Sequence, residues 1–124
     1  MRSKVLINPQ RKRKIPRHFS WVDHRLVRKN YLKQCSMDAL GLYLFLVTVG
    51  DVEGLSYYGD ESIEKYLNFN SSSSVNSCRK ELVNAGLITF LGGLYQVLDL
   101  GEPDNSAVEF AEALKHGKNL ESNY

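Results

Sequence analysis

The sequence predicts a mainly α-helical domain carrying a small three-stranded sheet (α+β). Three observations lead there. A helix-length apolar run at 37–49 follows a serine suited to cap it. Two shorter helical patterns, at 60–67 and 75–85, are separated only by a stretch rich in Asn and Ser. Two short apolar runs, 87–91 and 94–98, flank Gly92-Gly93, which is the pattern of strand, two-residue turn and strand.

Taken in order, residues 1–17 show no sustained periodicity. Pro9 and Pro16 bracket the basic run Arg11-Lys12-Arg13-Lys14, so an extended arm is expected. The plain alternative is a solubilising tail. Residues 19–34 set Trp21, Val22, Leu26, Val27, Tyr31 and Leu32 among cations, as a short helix or irregular segment packed on the domain would. Ser36 then caps the helix 37–49, interrupted after Ala39 only by Gly41 and Thr48. A helix so apolar needs cover on more than one side. Trp21 and its neighbours are expected on one side, with the C-terminal segment or a second subunit on the other.

Residues 50–54 form the following turn, and 55–58 a short strand expected to pair with the hairpin. In the helix 60–67, Ile63, Tyr66 and Leu67 are expected to share one buried face at i, i+3, i+4 spacing. The carboxylates of Asp60, Glu61 and Glu64 suit the positive end of its dipole. Ser71 to Ser74 offer several N-caps for the next helix, in which Val75, Cys78, Leu82 and Ala85 form the buried stripe. Gly86 ends that helix, since glycine takes the left-handed C-terminal position at least cost. Beyond the hairpin, Ser106 and Glu109 make a capping box. The helix it opens, 106–115, has the apolar stripe Ala107, Phe110, Ala111 and Leu114. It should close over its own domain or pair with another copy. The expected organisation is thus an arm at 1–18, a domain at 19–100 and an extension at 101–124.

The run Ser74-Val75, then Leu82, then Ala85-Gly86-Leu87-Ile88, resembles the second half of bacterial winged helix-turn-helix domains. Across residues 19–100 the chain looks like the N-terminal domains of phage replisome organisers and of primosomal DnaD-type proteins. One position departs from the pattern, because Ser77 stands where such helices often carry an arginine. The resemblance implies a non-enzymatic protein of bacterial or phage type that binds double-stranded DNA through its second motif helix. Its role would be transcription regulation or replication initiation, and a homodimer is expected because operator-binding winged helices are often two-fold. The alternative is a winged helix used for protein–protein assembly without direct DNA contact.

Composition bounds the rest. At 124 residues, 43% hydrophobic, with a mean hydropathy of −0.32, the chain suits one globular domain with short extensions. No signal peptide or membrane-length apolar run is evident, and two isolated cysteines make neither a disulfide framework nor a zinc knuckle. A reduced, cytoplasmic protein is expected. Net charge is only +2, yet residues 1–35 hold eleven Lys/Arg and one acid, while 36–100 hold three Lys/Arg and eight acids. Such polarity points the N-terminal end at a polyanion.

No P-loop, GxGxxG, HExxH, CxxC or GxSxG pattern occurs, and neither His18 nor His24 has a second ligand at metal spacing. No catalytic residue, metal or cofactor is therefore expected. For DNA, the candidate contacts on the second helix are Ser72, Ser73, Asn76, Ser77 and Lys80, whose hydroxyl, amide and ammonium groups can bond base edges or phosphates. That helix carries few cations and the hairpin none. Most of the phosphate grip is therefore assigned to the N-terminal segment, with Arg11, Lys12, Arg13, Lys14 and Arg17 in the arm.

Overall fold

The computed structural model of the chain describes residues 3–70 and 73–101. Its elements run α1 (Arg25–Arg28), α2 (Met37–Val49), β1 (Leu55–Tyr57), α3 (Asp60–Tyr66), α4 (Val75–Asn84), β2 (Ile88–Leu91) and β3 (Leu94–Val97). Single 3₁₀ turns lie at Pro9–Arg11 and Leu32–Gln34. The strands form one antiparallel sheet in the order β1-β3-β2. The fold is α+β, in an order compatible with a winged helix-turn-helix layout.

Helix α2 is the centre of the core. The Ser36 hydroxyl accepts from the Ala39 amide at 3.1 Å, which satisfies one of the free donors of the first turn. Glu81 of α4 holds that cap from outside, accepting from the Ser36 amide at 2.8 Å and its hydroxyl at 2.9 Å. Ala39, Leu42, Tyr43 and Leu46 are buried against Ile63 of α3, Val75, Cys78 and Leu82 of α4, and Ile88 and Tyr95 of the sheet.

The cover expected from Trp21 does not form. Trp21 is 72% exposed, and Phe19 and Val22 are exposed beside it. Of that segment only Leu26 is fully buried, with Tyr31 packed half-buried against the core. A helix of four residues delivers one side chain inward, and α1 is aimed by Asp23, whose carboxylate accepts from the Arg25 amide at 2.8 Å and from its guanidinium. Trp21 precedes α1 on non-helical chain that meets α2 through a hydroxyl, the Ser20 side chain donating to the Thr48 carbonyl at 3.3 Å. A second expectation also changes. Tyr66 of α3 is 68% exposed, because it stacks on Phe45 with ring centroids 5.4 Å apart instead of entering the core. Ile63 alone of that face is fully buried, with Leu67 half-buried.

Helix α4 begins at Ser74, whose hydroxyl accepts from the Ser77 amide at 3.0 Å while the Ser77 hydroxyl accepts from the Ser74 amide at 3.0 Å. This reciprocal box satisfies two donors at once. At the other end Gly86 takes φ +79°, with Leu87 donating to the Leu82 carbonyl and Gly86 to that of Val83. These two bonds make a Schellman stop, which turns the chain directly into β2. Gly92 and Gly93, both at positive φ, join β2 to β3 with Leu91 opposite Leu94.

Gly54 fixes the register of β1 on β3. It lies at φ +81°, and a Cβ there would stand 2.8 Å from the Val97 carbonyl oxygen. Its own carbonyl accepts from the Val97 amide at 2.9 Å. Gly54→Ala is therefore expected to cost about 1–3 kcal/mol in a urea titration, from the strained backbone and the close approach together. An unchanged midpoint would contradict this account of the strand pairing.

Candidate nucleic-acid interface

Because Val75, Cys78 and Leu82 face inward, α4 turns Asn76, Lys80, Val83 and Asn84 outward. With Arg79 and Phe90 of β2 they line a shallow depression of about 380 Å³ between α4 and the hairpin. Arg79 shapes it. One guanidinium nitrogen donates to Asp60 at 2.9 Å and to the Tyr95 hydroxyl at 2.8 Å, and the other donates to the Asn76 amide oxygen at 3.2 Å. The same group lies over the Phe90 ring, 4.4 Å from its centroid. The side chain is only 13% exposed, and it ties α3, α4, β2 and β3 together at one point.

The sequence-predicted contacts on α4 divide accordingly. Ser72 lies outside the described residues. Ser73 is half-buried beside Asp38 of α2, whose carboxylate accepts from the Asn70 amide at 3.0 Å. Asn76 has its amide oxygen engaged by Arg79 and keeps its NH2 group for outside partners. The Ser77 hydroxyl belongs to the helix cap, where it also donates to the Ser74 carbonyl at 3.0 Å. Lys80 is exposed and makes no ion pair with the described residues. The outward set is thus Asn76, Lys80 and Asn84, set around Arg79.

The role of Arg79 is not legible in the sequence. Its partners Asp60, Tyr95 and Phe90 lie far from it in sequence, and no local spacing announces that they converge. The nearest hint is Asn76, three residues earlier on the same helix.

The contacts at Asp38 carry a pH consequence. The Ser73 hydroxyl first, and then the Asn70 amide, hold the Asp38 carboxyl below the ordinary carboxylate value of 3.8. A lowered folded-state value means that the carboxylate contributes stability above the unfolded value, and that this stability disappears as pH falls through the lowered one. Asp38→Asn is expected to reduce the acid sensitivity of the turn between α3 and α4. Amide exchange at Asn70 and Ser73 followed below pH 4 would check it, and an identical acid response in the variant would contradict it.

In the arm, Arg11, Lys12, Arg13, Lys14 and Arg17 are all exposed and form no ion pair with the described residues. Arg25 differs, being bound by Asp23 at 2.8 Å and Asp99 at 3.2 Å. The arm meets the body at Thr48, whereas the turn leading into α4 is held at Asp38, near the other end of α2. At 1.5 Å per residue these points are about 15 Å apart along the helix. Extended chain covers ~3.3 Å per residue, so an arm rooted at Ser20 is long enough to span the distance from Thr48 to the α4 end of α2.

Comparison with protein-family models, curated proteins and solved structures finds no match. Among the described residues no group of three or more His, Cys, Asp or Glu is placed to hold a metal ion. No helix among them is long and apolar enough to cross a membrane.

Proposed function

We propose that this chain is a non-enzymatic DNA-binding protein that places α4 against double-stranded DNA and grips the backbone with its basic N-terminal segment. The observation that carries this reading is the outward face of α4. It presents Asn76, Lys80 and Asn84 between a preceding short helix and a following hairpin, in a chain whose first 35 residues hold eleven cations and one acid. Phosphate contacts from the arm would supply affinity and orientation, and the amide and ammonium groups of α4 would supply base discrimination. A role in replication initiation or transcription regulation, by a homodimer on a two-fold site, extends the same reading.

One observation favours a second reading, a protein-assembly module. Residues 36–100 carry eight acids against three cations, and Leu91, the last residue before the hairpin turn, is exposed and apolar. An electrophoretic shift with random duplex at low salt separates the two. DNA binding predicts a retarded complex, and unchanged mobility at tens of micromolar protein would favour the assembly module.

Within the DNA reading, Asn76→Ala is expected to cost about 1–3 kcal/mol on a site selected from a random pool and little on random duplex. Equal costs on both would remove Asn76 from base recognition. Ser77→Ala is a poorer probe, because it also dismantles the cap of α4.

A further inference from the structure

Helix α2 keeps an apolar face that the described residues leave open. Val22 and Leu26 on one side and Leu40, Tyr43, Leu44 and Val47 of α2 on the other border a groove of about 140 Å³. Leu44, at its centre in sequence, is 59% exposed. We infer that this groove is the docking site of the chain's own C-terminal segment, residues 106–115.

The path of the chain brings that segment to the groove. Leu100 is buried and Asp99 is paired with Arg25, the residue next to Leu26. A Cβ at Gly101 would lie 2.9 Å from the Arg25 guanidinium, so the described chain ends against α1, the helix that supplies Leu26 to the groove. Residues 102–124 lie outside the described ones. Only 102–105 separate Gly101 from the segment, and at ~3.3 Å per residue they allow it to reach α2 without strain.

The chemistry of the segment fits as well. Ala107, Phe110, Ala111 and Leu114 have the i, i+3, i+4, i+7 spacing with which an amphipathic helix anchors in an apolar groove. The segment 25–34, which gives Leu26 and Leu32 to the groove, carries the exposed cations Arg28, Lys29 and Lys33, and residues 102–124 hold five acids against two lysines. The two segments thus carry opposite net charge, which favours docking over release at low salt. A tether this short gives an effective concentration in the millimolar range, which selects the chain's own segment over a second copy.

The test is amide exchange of the full chain at several protein concentrations, in the wild type and in Leu44→Glu. Leu44 is exposed, so the variant should fold, and slow exchange in α4 would confirm that it has. The expected result is slowed exchange across 106–115 in the wild type, independent of concentration, and its loss in Leu44→Glu while α4 stays protected. Phe110→Glu should reproduce that loss from the other side of the interface. Coil-rate exchange of 106–115 in the wild type would overturn the inference. So would protection that survives both variants, or protection that appears only as concentration rises, which would make the occupant a second copy.

Discussion

Removing residues 1–17 should lower the salt dependence of DNA binding. The truncation deletes Arg2, Lys4, Arg11, Lys12, Arg13, Lys14 and Arg17. For every phosphate that these side chains no longer neutralise, the slope of log K against log salt falls by about 0.9, because fewer counterions are released on binding. The body should be unharmed, since every described residue before Asp23 is exposed and none belongs to the core. Affinity should fall by a similar factor on all sequences, as phosphates carry no base information. A truncated protein with the full-length slope would show that the arm is not the grip, leaving Arg28, Lys29 and Lys33 as the cations to examine next.

Arg79→Ala should be among the most damaging single changes on the α4 face, and it should act on the fold before it acts on any ligand. The ion pair with Asp60 contributes modestly, because the Asp60 side chain is half exposed. The larger effect comes from the buried Tyr95 hydroxyl, which would forfeit a charged donor, and from the guanidinium's seat on the Phe90 ring. Together these predict destabilisation of about 2–3 kcal/mol, and a thermal midpoint lowered by on the order of 10 °C. Arg79→Lys should recover little of it, since an ammonium on a flexible stem cannot serve Asp60, Tyr95 and Asn76 from one planar fork. A wild-type midpoint for Arg79→Ala, measured without DNA, would reduce Arg79 to a surface cation.

Much of the fold was legible because its signals are local. Ser36 before an apolar run, Gly86 after a stripe, and Gly92-Gly93 between two short apolar runs each specify backbone geometry within a few positions. The misreadings came where tertiary packing decides. Tyr66 has the helical spacing of a core residue, yet Phe45 takes it as a stacking partner at the surface. Trp21 has the size of a core anchor, yet α1 brings only Leu26 inward. The candidate site was less legible than the fold for the same reason. Composition and helical phase could nominate Ser73, Asn76, Ser77 and Lys80 as outward polar groups. They could not show that Arg79 and the Ser74 cap already engage Asn76 and Ser77.

The central claim is that α4 and the arm contact the same duplex. It is tested most directly by residue-resolved NMR titration of the full chain with duplex DNA at low salt. The account predicts that amide and side-chain signals shift together at Asn76, Lys80 and Asn84 and across residues 11–17, while the buried face of α2 stays unchanged. Shifts confined to the N-terminal segment, with α4 silent, would contradict it and leave a basic tail beside a domain that does not read DNA.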